Sequence, residues 1–275
     1  MRVHHLNCAT MCPYGASLIR GGGGLFSRTR LVCHCVLVES SEGLILVDTG
    51  LGMDDISDPK RLGTTFHAVA RPRLNPEETA LQQIIRLGFK REDVRHVVLT
   101  HLDVDHAGGL ADFPEAQIHV SEREHEAAHH RQAFIERHRY IPAQWAHEPK
   151  WQIHRLTGET WFGFESVQAL SPMSTEVLLI PLYGHTRGHC GVAIRHSKGW
   201  LLHCGDAYFS HHEMAAEHPH CPLGLGLLQC FLDMDRGARL RNQDRLRQLR
   251  LQHGNEVEVF CAHDPAELPE LPKPI

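Results

Sequence analysis

The chain has 275 residues, 42% of them hydrophobic and 22% charged, a composition that suits one large globular domain with a real core rather than a string of modules. The formal net charge is −5 and the basic runs are short and broken by acids, so a general attraction to nucleic acid is not expected. No apolar run approaches the length that crosses a bilayer, and the polar start MRVHHLNCATMCPYGA lacks the apolar stretch of a secretory leader. Nine cysteines, an odd number, then read as reduced thiols in a cytoplasm rather than a disulfide framework. Cys8, Cys12, Cys33 and Cys35 lack zinc-knuckle spacing and read as structural.

In chain order, four glycines at 21–24 read as a flexible hairpin tip. Two β-type runs follow, Leu31–Glu39 and Leu44–Asp48, joined by a Ser-Ser-Glu-Gly turn. A helix opens at Asn75, with Pro76 at its first position and acids in its first turn, and Gly88 stops it after Leu87. Val94–Thr100 is a short apolar strand, Gln117–Val120 another, and a helix starts at Ser121. Residues 52–75 and 134–165 read as insertions; the second is rich in aromatics and histidines and irregular in spacing. The basic run at 129–139 has the pattern of a solvated face. Three strands (Val177–Leu182, Gly191–His196, Trp200–Cys204), a helix from Asp233 to about His253 with Leu240, Leu246 and Leu249 inward, and a last strand Val257–Cys261 complete the chain. Strands and a helix, repeated, predict an αββα sandwich, an α/β domain spanning 1–275 with helices outside two packed sheets.

The unusual count is 24 histidines, and histidine is the commonest transition-metal ligand. Isolated histidine pairs arise by chance at that density, so position decides which of them matter. Four short motifs lie just after predicted strands: HisLeuAspValAspHis (101–106), GlyHisThrArgGlyHis (184–189), CysGlyAspAla (204–207) and CysAlaHisAsp (261–264). Strand-end loops are where a rigid scaffold presents function, and every one of these supplies His or Asp. Four ligand-type residues in six, ending an apolar strand and followed by AlaGlyGlyLeu, are poorly explained by packing. Alternation in an extended segment lets His101, Asp103 and Asp105 point together while His106 turns toward a second ion.

With these motifs in hand, the sequence resembles the metallo-β-lactamase superfamily of αββα hydrolases over nearly its whole length, nearest to the lactonase-like members. AspThrGly (48–50), ThrHisLeuAspValAspHisAlaGlyGly (100–109), GlyHisThrArgGlyHis, GlyAsp (205–206) and His263 match the family's motifs in order and spacing. The resemblance implies two divalent metal ions: His101, Asp103 and His185 on the first, Asp105, His106 and His263 on the second, and Asp206 bridging. Asp48 would brace the metal loop, and Thr186 and His189 would orient the ligands by hydrogen bonds. One departure stands out, because the family usually has His where this chain has Asp103. Three aspartates and a bridging hydroxide cancel two divalent ions, whereas the usual set leaves one positive charge. Asp103 therefore argues for a less electrophilic zinc pair, or for iron or manganese.

The implied chemistry is hydrolysis of a small molecule by a metal-bridging hydroxide between ions about 3.5–4 Å apart. Asp105 would orient the nucleophile and pass a proton to the leaving group, and Tyr208 would donate to the developing oxyanion, with His211 and His212 near the rim. An ester or lactone is the first expectation and a phosphodiester or phosphotriester the second; a non-hydrolytic di-iron redox protein is the rival from another class. The aromatic-rich insertions could roof an acyl pocket, and the 52–75 loop could serve a homodimer contact.

Overall fold

The structure, a computed structural model, describes residues 2–170 and 176–269. Seven strands form the first sheet: β1 (Arg2–Met11), β2 (Leu31–Ser40), β3 (Gly43–Val47), β4 (Pro72–Arg73), β5 (Val94–Val98), β6 (Gln117–Ser121) and β7 (Lys150–His154), in the spatial order β4-β1-β2-β3-β5-β6-β7. Six form the second: β8 (Glu159–Trp161), β9 (Phe164–Ala169), β10 (Val177–Pro181), β11 (Cys190–His196), β12 (Gly199–His203) and β13 (Val257–Phe260), in the order β13-β12-β11-β10-β9-β8. Both sheets are mixed. In the first, β1, β2 and β3 are antiparallel neighbours while β3, β5, β6 and β7 run parallel. In the second, only β12 and β13 are parallel.

The period-2 pattern of each strand explains the layers. Val36, Val38, Ile45, Val47 and Val98 of the first sheet meet Val177, Leu179, Val192, Ile194 and Leu201 of the second in one buried cluster between the sheets. Their alternates, Cys35, Leu37, Leu44, Leu46 and Val97, face outward onto Ile84 and Ala128, which belong to the helices Ala80–Arg86 and Glu122–His130. On the other side Ile180, Ala193, Leu202 and Val259 pack against Leu246 and Leu249 of the helix Arg236–His253. Two mixed sheets with helices on their outer faces form the expected αββα sandwich.

Several local readings change. The first strand, β1, has no counterpart in the sequence reading, because His4, His5 and Asn7 interrupt its apolar alternation. The glycines at 21–24 follow a short helix, Ala16–Arg20, within an irregular loop closed by the Tyr14–Arg28 bridge. Asn75 caps only a 3-10 turn, Pro76–Glu78, and Thr79 caps the α-helix through its side chain. The stretch 134–165 is not irregular: it holds the helix Phe134–Arg139, then β7 and β8 and the start of β9 at opposite sheet edges. A hydrophobic helix, Leu223–Leu232, also escaped the sequence reading. On β5, β6 and β7, His96, His119 and His154 form a hydrogen-bonded row with ring nitrogens 3.0 and 2.9 Å apart. Among the described residues, no helix is long and apolar enough to cross a membrane.

Candidate metal centre

The loops at one end of the two sheets converge. The first sheet supplies the segment that leaves β5, with His101, Asp103, Asp105 and His106; the second supplies His185 between β10 and β11, Asp206 after β12 and His263 after β13. Five of these seven are 0–3% exposed, and Asp105 is 8% exposed. Oδ2 of Asp206 lies 3.9 Å from His101 Nε2 and 3.4 Å from His185 Nε2, while its Oδ1 lies 3.2 Å from His106 Nε2 and 3.1 Å from His263 Nε2. His101, His185 and Asp206 thus make one group of potential ligands, and His106, Asp206 and His263 a second, with Asp206 common to both. Asp105 Oδ2 is 3.6 Å from His263 Nε2, on the second group's side. Asp103 Oδ2 is 3.4 Å from His101 Nε2 and 3.2 Å from His185 Nε2, on the first group's side.

The outer ring nitrogens fix how these histidines point. His106 Nδ1 donates to Asp48 Oδ2 at 2.7 Å, and His263 Nδ1 donates to the Val32 carbonyl at 2.7 Å. The Thr100 hydroxyl donates to Asp48 Oδ2 at 2.8 Å and accepts from His101 Nδ1 at 3.0 Å. With Nδ1 protonated in each ring, Nε2 carries a lone pair directed at the centre of the cluster. Asp48, at φ 54, also accepts from the Thr100 backbone N–H at 2.8 Å. Burial alone would raise its carboxyl, but His106 beside it holds the group below the usual carboxylate range. His189 acts one layer further out: its Nδ1 donates to the Leu182 carbonyl, and its Nε2 accepts from the Asp206 backbone N–H at 2.9 Å. Glu124 ties the two largest motif loops together, accepting from Leu102 N, Gly188 N, the Thr186 hydroxyl and the Tyr140 hydroxyl.

The donor set fits a cation. Nε2 of His101, Nε2 of His106 and Oδ1 of Asp206 are buried without hydrogen-bond partners. Bare acceptors crowded against carboxylates are among the costliest arrangements a protein can bury, unless a positive ion sits between them. Imidazole nitrogens mixed with carboxylate oxygens suit a borderline divalent ion such as zinc.

Asp103 has a partner the sequence did not disclose. Arg139, at the end of the helix Phe134–Arg139 and only 8% exposed, sends Nε to Asp103 Oδ1 at 3.0 Å. Its other nitrogens donate to the backbone carbonyls of His185 at 2.7 Å and Leu232 at 2.9 Å, and Nη2 comes within 3.3 Å of His185 Nε2. Burial would raise the Asp103 carboxyl, but Arg139 and His101 hold it well below its ordinary value. The basic run at 129–139 is therefore not wholly a solvated face. Its last residue reaches into the centre, and its Glu136 pairs with Arg187 of the GlyHisThrArgGlyHis loop. A carboxylate at a ligand position, which asks for a compensating cation, was the one available signal for Arg139.

Tyr208 is not brought to the cluster. It is fully buried in the core beneath the second sheet, and its hydroxyl hydrogen-bonds the Glu267 carboxylate at 3.0 Å. Phe209 occupies the side facing the site, with its ring centroid 4.9 Å from that of His263 and 5.9 Å from that of His185. His211 and His212, with Ile19, Leu31, Phe209 and Leu225, line a small cavity of about 50 Å³ beside the cluster, where His211 Nδ1 is held by Asp264 at 2.6 Å. The larger surface cavities, about 590 and 520 Å³, contain none of the seven cluster residues. Cys33, read as structural, also has its sulfur within 4.8 Å of Asp105 and His263 ligand atoms, and burial pushes its thiol well up. Of the proposed roof, Trp161 and Phe164 pack in the second sheet's core, whereas Leu62, Phe66 and Leu74 pack with Phe209 and Leu225 beside the site.

An αββα sandwich with a His/Asp cluster at the strand ends defines a class, and residues 28–250 match the metallo-beta-lactamase superfamily. The chain belongs to that superfamily and is a metal-dependent hydrolase. It is 43% identical over 265 residues, 96% of this chain and 81% of the relative, to a probable metallo-hydrolase of Mycobacterium tuberculosis. An N-acyl homoserine lactonase of Bacillus sp. is 26% identical over 232 residues, 84% of this chain and 80% of that protein. Among solved structures, an N-acyl homoserine lactone hydrolase with N-hexanoyl-L-homoserine at its catalytic metal center superposes with a TM-score of 0.69 at 23% identity, covering 96% of this chain and 94% of that one.

Proposed function

We propose that the protein is a two-metal hydrolase of a small ester or lactone. The observation that carries this reading is the single carboxylate, Asp206, shared by two groups of buried ligand atoms. His101, Asp103, His185 and Asp206 would hold one ion, and Asp105, His106, His263 and Asp206 the other. Divalent ions bound there supply Lewis acidity, activating water and polarising an acyl oxygen. The chain's own contribution is to aim the ligands and keep the centre dry. Asp105, whose Oδ2 lies 3.6 Å from His263 Nε2, would hold a water proton and deliver it to the leaving group. Phe209, Ile19, Leu31 and Leu225 supply the apolar part of a cavity lining that also includes Arg20, Ser210, His211, His212 and Asp264. The activity named for the Bacillus relatives, N-acyl homoserine lactone hydrolysis, points to the same class of substrate.

The test is elemental analysis of protein purified without added metal, joined to a panel of lactone, aryl ester, phosphodiester and phosphotriester substrates. Two ions per chain and turnover of a lactone or ester are expected. Asp206→Asn should abolish turnover and release at least one ion; full metal content with retained activity would refute the shared role. A coloured, iron-filled protein inactive on the whole panel would replace this reading with the di-iron redox one. Turnover confined to the phosphotriester would move the substrate assignment.

A further inference from the structure

We propose that Arg139 is the charge complement of Asp103, so that the Asp103–Arg139 pair offers the first metal ion an oxygen ligand with no net charge. The proposal rests on the two-metal reading above. The guanidinium is permanently charged, and its fork of N–H groups is fixed from three sides: Asp103 Oδ1 at 3.0 Å, the His185 carbonyl at 2.7 Å and the Leu232 carbonyl at 2.9 Å. It cannot swing to solvent without leaving the buried Oδ1 of Asp103 and two carbonyls without their partner. Oδ1 is thereby held in ion-pair contact with the guanidinium, without a hydrogen bond, and the other oxygen, Oδ2, remains facing His101 and His185 at 3.4 and 3.2 Å. That is the geometry of a ligand whose second oxygen is neutralised from behind.

The charge count follows. Three carboxylates around the centre (Asp103, Asp105, Asp206) contribute −3, and Arg139 returns the sum to −2. A set with two aspartates and a neutral imidazole in place of Asp103 carries the same −2. The preference for iron or manganese argued from the sequence assumed an uncompensated third carboxylate, and Arg139 removes that assumption. A buried guanidinium this close to two divalent ions would repel them if its only role were packing, so its place makes sense only with Asp103 between. The helix that carries it is capped by Glu136, which accepts from the Ala133 N–H, and is docked by the pairing of the same Glu136 with Arg187.

The test is a coupling measurement by chelator competition, with zinc alone and manganese alone as probes on the full chain. Asp103→His should weaken zinc at least tenfold, because Arg139 is then left uncompensated, whereas adding Arg139→Met should restore zinc to within about threefold of wild type; the scale is that of groups that support metal ligands. Arg139→Met alone should move the zinc-to-manganese affinity ratio about tenfold toward manganese, and Arg139→Lys should leave it unmoved. A double variant no better than Asp103→His overturns the proposal. If Asp103→His does not fold, equal ratios in Arg139→Met and Arg139→Lys overturn it instead. Wild-type protein that takes up neither ion overturns the metal-centre reading itself, whereas normal wild-type uptake without coupling overturns only the role of Arg139.

Discussion

Asp48→Asn changes one atom and should disable half of the centre. In the structure Oδ1 accepts from Thr100 N at 2.8 Å, while Oδ2 accepts from the Thr100 hydroxyl at 2.8 Å and from His106 Nδ1 at 2.7 Å. Asparagine keeps an oxygen toward Thr100 N but places an NH₂ where Oδ2 was. Two donors then face each other, and the conflict is relieved when the His106 proton moves from Nδ1 to Nε2. Nε2 is 3.2 Å from Asp206 Oδ1, so its new N–H hydrogen-bonds that carboxylate and closes the coordination position. The metal-free fold loses one charge-assisted hydrogen bond, about 1.5–3 kcal/mol, part of it regained at Asp206. Affinity for the second ion should fall roughly 10–100-fold. Zinc titration with a competing chelator reads the affinity, urea unfolding of metal-stripped protein reads the stability, and ring ¹⁵N shifts of His106 read the tautomer. A folded variant that binds two ions as tightly as wild type, with Nδ1 still protonated, would refute the reasoning.

Three further outcomes are expected. Tyr208→Phe should leave turnover within about twofold of wild type and lower stability by about 1 kcal/mol, since the hydroxyl serves Glu267; a loss of activity at unchanged metal content would return it to the active site. Gly50→Ala should cost more than about 2 kcal/mol or prevent folding, because Gly50 sits at φ 65 and a Cβ there would overlap Cys8 Cβ and its carbonyl oxygen; a melting temperature within a degree of wild type would contradict this. The third concerns pH. Burial, with His154 and His96 on either side, pushes His119 down to about 3, below its ordinary 6.5. Between those values the unfolded chain binds a proton that the folded chain does not, so stability is full above about pH 6.5 and is lost as the pH falls. At pH 5 the deficit from this one group is about 2 kcal/mol. Urea unfolding of His119→Gln at pH 7.5 and pH 5 should show that much less acid destabilisation, and an unchanged difference would show that His119 is not its source.

The motif loops were legible because each carries several ligand-type residues in a few positions after an apolar strand, and packing alone does not demand that. The sandwich was legible from the alternation of strands such as β2 and β10, whose apolar residues have two faces to cover. Other parts depended on distances the sequence does not contain. Arg139 sits in a run of charged residues that differ only in which one the fold points inward, and its partner lies in another loop. Tyr208 looked well placed by its offset from Asp206, but residues 204–207 form a turn closed by the Ala207 N–H on the Cys204 carbonyl, so no strand alternation runs from Asp206 to Tyr208, and Phe209 faces the cluster instead. β1 was hidden by the histidines and asparagine that it buries only in part, and β7 to β9 by aromatics that look like a lid until two separate sheet edges claim them.

The sharing of Asp206 has a mechanical side. His101, Asp105 and His106 hang from the first sheet, and His185, Asp206 and His263 from the second. On the two-metal reading, an ion on either group is a staple between the two halves of the sandwich, joining segments distant in the chain. All nine cysteines are unpaired, so no disulfide does this work. Ion binding is then folding free energy: a hundredfold excess over the dissociation constant adds about 2.7 kcal/mol, and a strong chelator takes it away. How long the folded chain lasts becomes a function of the surrounding free-metal concentration, which should show as a melting temperature that climbs with added zinc and stops climbing when the site is full.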